Sequence, residues 1–192
     1  MAQAFRPVSD LGDNRPTAVR IVLSIVALIA GTFSTLTARQ PGAAIDPKLH
    51  SQLKQLFPAA TFSPKFPDPP HYKVFAPSSS TAAEPYGLAF WTTEIEPLER
   101  GYDGPIKILV GMDTKGILTG IVVAAHNEPY GDFSVDRPEF AAQFKGKSIR
   151  DPFRVGGDVD AVSRATITVT SAARAIRISA RRMATRLLAP PK

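Results

Sequence analysis

The stretch Asp158-Val159-Asp160-Ala161-Val162-Ser163-Arg164-Ala165-Thr166-Ile167-Thr168-Val169 governs how the rest of this chain is read. An acidic turn passes into small, hydroxyl-bearing and β-branched residues just ahead of a long helical pattern. Thr166 carries a secondary hydroxyl that a phosphate group can esterify. A helix starting beside it supplies free backbone N–H groups and the positive end of a dipole. A strand edge or a helix cap is the plainer reading of the same residues, so the surrounding sequence must choose.

Immediately downstream, a helical period from about Val169 to Leu188 places Ala172, Ile176, Met183 and Leu187 on one face and Arg174, Arg177 and Arg181 on another. The plain expectation for that second face is a solvated charged surface. Residues Ala161 to Lys192 hold seven basic side chains and no acidic one, whereas the other 160 residues hold 16 basic and 17 acidic. The net charge of +6 is therefore local. It suits a contact surface or a membrane-proximal arm better than a nucleic-acid domain, because the interleaved aromatics of single-strand binders are missing there.

A chain of 192 residues with 44% hydrophobic and 21% charged residues accommodates one domain plus extensions. It contains no cysteine, which excludes disulfides, cysteine-ligated iron–sulfur clusters and thiol redox chemistry. His50, His71 and His126 are far apart and lack metal-ligand spacing, so no metal site is expected. Any redox chemistry then needs an organic cofactor.

Upstream, Met1 to Arg20 is polar, with Arg6, Arg15 and Arg20, and Ile21 to Ala38 is a run of 18 uncharged residues. As a helix that run is about 27 Å long, close to the roughly 30 Å of a hydrocarbon core. A cleaved signal and a buried soluble helix are the alternatives. Leu36 spoils the small-x-small pattern of a cleavage site, which favours an uncleaved anchor. The arginines beside the span predict a cytoplasmic tail over 1–20 and a domain outside the membrane.

After Arg39-Gln40-Pro41-Gly42, residues 46–57 read as a helix capped by Asp46, with Pro47 at its first position and Leu49, Leu53, Leu56 and Phe57 on one face. Seven prolines between Pro58 and Pro85, with Ser78-Ser79-Ser80 at a loop tip, leave room for one short strand, Tyr72 to Ala76. Strands are expected over Tyr86–Thr93, Pro105–Val110 and Ile117–Ala125, the last two joined by Gly111-Met112-Asp113-Thr114-Lys115-Gly116 as a hairpin. Their near-continuous apolar runs predict cover on both faces. Beyond His126-Asn127-Glu128-Pro129-Tyr130-Gly131 a helix capped by Asp136 should bury Phe140 and Phe144, with Gly146 ending it.

Two of these loops carry a resemblance. Asp160-Ala161-Val162-Ser163-Arg164-Ala165-Thr166 resembles the pattern Asp-x-x-Ser/Thr-Gly-Ala-Thr, and His126-Asn127-Glu128-Pro129-Tyr130-Gly131 resembles a His-x-Glu-x-x-Gly-like loop. Together they make the chain similar to the FMN-binding domains of the Rnf G subunit, of the C subunit of the sodium-translocating NADH:quinone reductase, and of NosR/NirI-type membrane flavoproteins. The likeness runs from about Asp46 to Leu187. Arg164 departs from it, standing where the family has glycine; a left-handed backbone there strains arginine by about 1 kcal/mol.

The resemblance implies an α+β fold, a small antiparallel sheet packed with helices, preceded here by one transmembrane helix. It implies FMN joined through its phosphate to Thr166. Ser163 and the backbone N–H groups near Thr166 would hold the phosphate, with Arg164 adding a charge-assisted contact and Ala165 beside them in the motif. Asp160 would serve recognition by a flavin transferase. On the companion loop, which ends at Gly131, His126 and Glu128 would be placed to hydrogen-bond the flavin and Tyr130 to stack on it. The expected organisation is tail 1–20, anchor or signal 21–38, helix and proline-rich linker 39–85, FMN-binding core 86–188 and tail 189–192. The implied role is a single-pass electron-transfer subunit of the inner (cytoplasmic) membrane, facing the periplasm. It would work with redox protein partners, and not as a stand-alone enzyme, since the spans and cysteine motifs of the NosR/NirI type do not follow. The alternative is an assembly module with a decayed flavin site, binding a redox complex or acidic partner through its arginine-rich helix.

Overall fold

A computed structural model describes residues 45–77 and 84–188. The expected anchor over 21–38, the serine-rich loop tip and the tail 189–192 lie outside the described residues. Among those described, no helix is long and apolar enough to cross a membrane.

Helix α1 (Pro47–Leu56) starts as its sequence predicts. The Asp46 carboxylate accepts the N–H groups of Lys48 at 2.9 Å and Leu49 at 3.2 Å, and proline occupies the first turn, where its missing donor costs nothing. Three strands follow, β1 (Thr61–Phe62), β2 (Phe66–Pro67) and β3 (Pro70–Phe75), where the sequence suggests only one. The prolines hid the short pair, but β1 and β2 are brief strands that each pair only with β3. An edge strand tolerates a missing N–H on its open side.

Strand β4 (Gly87–Trp91) pairs with β3 and β5 (Lys107–Asp113), and β5 pairs with β6 (Leu118–Ala125), giving an antiparallel sheet in the order β1-β3-β4-β5-β6. The β5–β6 hairpin turns where expected. Asp113 Oδ1 accepts the N–H groups of Lys115 and Ile117, each at 2.8 Å, and Gly116 takes φ +79°. Strand β4 stops at Trp91 because Thr92 opens a single helical turn, α2 (Thr92–Ile95). There the Thr92 hydroxyl bridges the backbones of Ile106 and Ile108.

The sheet is covered on both faces, which explains its apolar runs. Leu88, Phe90, Ile108, Val110 and Met112 face the long C-terminal helix α4 (Thr166–Leu187), meeting Val169, Ala172, Ala173, Ile176, Ala180 and Met183. Ala89, Trp91 and Leu109 face the opposite way, toward Leu53, Leu56 and Phe57 of α1 and its end. Helix α3 (Pro138–Ala142) buries Phe140, and Phe144 follows it into the core with its ring 5.1 Å away. Asp136 does not cap α3. Arg137 occupies the cap position, and Asp136 is drawn to His126.

Candidate cofactor site

Helix α4 begins at Thr166, three residues earlier than its apolar period suggests, despite opening with five consecutive β-branched residues, Thr166 to Thr170, that lose side-chain freedom in a helix. Tertiary contacts support the start: Ala165 is buried and the Thr168 hydroxyl donates to Glu128, while the first helical bond runs locally from Val169 N–H to Ala165 O at 2.9 Å. No side chain caps the helix, so its first-turn N–H groups are open to an external acceptor. Thr166 is exposed at this first turn.

The lead-in loop is braced from behind. The Asp158 carboxylate receives N–H groups of Phe153 at 3.1 Å and Arg154 at 2.5 Å, and the Lys147 ammonium at 3.0 Å. Burial alone would raise this carboxyl. The donors from Arg154, Lys147 and Phe153 outweigh that and hold it below the ordinary Asp value. Asp160 is exposed, its N–H donating to Gln143 Oε1 at 2.7 Å, and Ser163 is exposed as well. Arg164 adopts φ +67°, so the residue in the family's glycine position does take the left-handed backbone.

The companion loop is built around Glu128, which is 6% exposed. Its Oε2 accepts the N–H of Tyr102 and its Oε1 the N–H of Asp103, both at 3.0 Å, and Thr168 adds its hydroxyl. Burial pushes the Glu128 carboxyl up. The Thr168, Asp103 and Tyr102 donors, with His126 nearby, prevail and keep it below the usual glutamate value. Glu128 N–H donates to His126 Nδ1 at 3.0 Å, so that nitrogen is the acceptor and Nε2 carries the proton donated to Asp136 Oδ1 at 2.9 Å. Two glycines make room for these groups. A Cβ on Gly131 would lie 2.0 Å from His126 Cε1, and one on Gly101 would lie 2.3 Å from Glu128 Oε1.

Between the loops lies a cavity of about 550 Å³. One wall is Arg164 to Thr168, the second Pro129 and Tyr130, the third Tyr102. Thr166, Ala165, Arg164 and Tyr130, named from the sequence, therefore meet at one surface. Glu128, His126 and Gly131 support it from behind, while Ser163 and Asp160 sit on the approach and do not line it. Tyr102, Pro129, Ile167 and Thr168 escaped sequence reasoning. Tyr102 is brought there by a turn, Gly101 N–H donating to Gly104 O at 2.7 Å, whose only local sign is the Gly101-Tyr102-Asp103-Gly104 spacing.

Volume, aromatic walls, an arginine and open N–H donors at a helix start are features that suit an aromatic group bearing an anion. Residues 101–180 match the FMN-binding domain, so over that span the chain carries the domain its loops resemble. The G subunit of the ion-translocating oxidoreductase complex of Pseudomonas aeruginosa (strain UCBPP-PA14) is 33% identical over 145 residues, covering 68% of this chain and 64% of that protein. Its counterpart in Vibrio vulnificus (strain YJ016) is 33% identical over 87 residues, covering 40% of this chain and 41% of that protein. The chain thus spans just under two thirds of the length of its Pseudomonas aeruginosa relative.

Proposed function

We propose that this protein is a membrane-anchored electron-transfer flavoprotein whose FMN is joined by a phosphodiester to Thr166. It would relay electrons between a membrane redox donor and an extracytoplasmic acceptor as one subunit of an ion-translocating oxidoreductase complex. The observation that carries the reading is Thr166 itself, exposed at the uncapped start of α4, on the wall of a 550 Å³ cavity inside the FMN-binding match.

Bound FMN supplies reversible hydride and single-electron chemistry. The chain's own residues hold and shape. The first-turn N–H groups of α4 and the Arg164 guanidinium offer donors and positive charge to a phosphate. Tyr102 and Tyr130 offer aromatic faces to a flat ring. A covalent ester removes the need for tight enclosure, which suits a cavity with exposed walls. Asp160, exposed on the approach, is free to meet a flavin transferase. The anchor over 21–38 and a periplasmic domain follow from the uncharged run and its flanking arginines.

The arginine face of α4 gives the alternative, an acidic-partner module, little to work with. Arg174 pairs with Glu99 at 2.8 Å and Arg182 with Glu96 at 2.9 Å, while Arg181 donates to the carbonyls of Ile149 and Asp151. The test of the main reading is mass spectrometry of protein made together with a flavin transferase. An added FMN mass that maps to Thr166 and vanishes in Thr166→Ala is expected; unmodified wild-type protein, or a modified alanine variant, refutes it.

A further inference from the structure

All three walls of the cavity converge on one side chain that does not line it. Tyr102 is held through its N–H by Glu128 Oε2, the first turn of α4 is held through the Thr168 hydroxyl, and Pro129–Tyr130 follow Glu128 directly in the chain. The partners lie 26 and 40 residues away in sequence, so no local structure would bring them together. The loop bearing Glu128 is itself fixed, because its N–H donates to His126 and His126 is tied to Asp136. Gly101 has no side chain at the point where any Cβ would strike the Glu128 carboxylate.

We propose that Glu128 is the positioning residue of the cofactor cavity, setting the distance between Tyr102 and the first turn of α4 from behind and not by touching the flavin. The inference rests on the reading of this cavity as the flavin site and adds how the site keeps its shape. A carboxylate is suited to the task because it accepts from several donors at once. Glutamine in its place offers one oxygen and turns an NH2 group against N–H donors. Thr168 transmits the constraint to α4. It occupies the third position of the helix, on the turn that carries Thr166.

The experiment uses the full chain produced without flavin transferase and titrated with FMN, followed by flavin fluorescence and by the visible circular dichroism of the bound ring. Glu128→Gln should weaken FMN binding roughly tenfold and alter the visible dichroism while the far-ultraviolet spectrum stays native. Thr168→Val should weaken binding in the same direction, and the double variant should bind no more weakly than Glu128→Gln, because the two act through one link. Unchanged affinity and dichroism in Glu128→Gln, or fully additive losses in the double variant, overturn the proposal. If Glu128→Gln does not fold, Thr168→Val decides, and wild-type behaviour in it overturns the proposal. If the wild-type chain takes up FMN only when made together with a flavin transferase, the visible dichroism of covalently loaded Glu128→Gln decides, and a wild-type spectrum in it overturns the proposal. Failure of the wild-type chain to take up FMN by either route removes the flavin reading of the cavity, and this inference with it.

Discussion

The two ends of helix α4 are treated in opposite ways. Along its length the arginines are bound internally. Arg174 meets Glu99, Arg177 and Arg181 meet backbone carbonyls of the 149–152 loop, Arg182 meets Glu96 and the Ile95 carbonyl, and Arg186 meets Asp68. At its start nothing caps the first turn, and among the described residues Arg164 has no carboxylate within ion-pair distance. One helix thus uses its charge to fasten loops along most of its length and keeps donors open at one end. The lesson is that a basic segment on a neutral body need not be a binding face: here the cations that neighbours satisfy are structural, and the cavity lies where they are not.

The contrast can be tested by substitutions along α4 and around its start. The buried body of the helix should be most sensitive. Ile176→Ala opens a cavity opposite the sheet and should cost about 2–5 kcal/mol in urea unfolding, without a specific effect on FMN affinity below the melting range. Around the open end, Gly131→Ala forces His126 from its place, and a loss of about 1–3 kcal/mol is expected, accompanied by weaker FMN binding. Equal losses of affinity in both variants would erase the distinction between a structural body and a functional end.

Acid should also act through the open end. Glu128 and Asp158 both have carboxyls held below their ordinary values, so in the unfolded chain they take up protons first as pH falls. Their contribution is complete above the unfolded carboxylate range near pH ~4–4.5 and is lost as pH drops through the lower folded values. Urea midpoints should fall between about pH 6 and about pH 3.5, and Glu128→Gln should flatten that slope.

Smaller effects sharpen the picture at single arginines. Arg164→Gly removes the left-handed strain and should gain up to about 1 kcal/mol, partly offset by the greater freedom of glycine in the unfolded chain. The same change removes the cation and should weaken FMN binding relative to riboflavin, which has no phosphate. Stability and affinity moving in opposite directions would mark a residue kept for the site. Arg174→Ala breaks an exposed pair and should cost less than about 1 kcal/mol, with no change in flavin affinity.

Much of the fold was legible. The Asp46 cap, the β5–β6 hairpin and the core face of α4 follow from signals a few residues long, and the expected α+β sheet is present. The two brief strands near the proline run were not legible, because an edge strand asks little of its sequence. Asp136 was misread as a cap: its spacing before Pro138 suited that role, while the competing partner, His126, stands ten residues back. At the site, the sequence marked Thr166, Arg164 and Tyr130 and placed Glu128 on the loop beside them, but that its carboxylate accepts from three protein donors 25 to 40 residues away was not legible.

By itself the sequence determined which residues are chemically equipped: a threonine before a helix, an arginine where the resembling family has glycine, no cysteine, and apolar strands suited to a covered sheet. These depend on residue chemistry and on periods of two and 3.6 residues, which act locally. Only the tertiary structure decided that Arg164 takes a left-handed backbone, that the arginines along the helix are already bound, that Tyr102 forms a wall, and that the Glu128 carboxylate accepts from Tyr102, Asp103 and Thr168 together. Burial and pairing link residues up to 118 positions apart, as Arg186 and Asp68 are, and no local pattern encodes such distances.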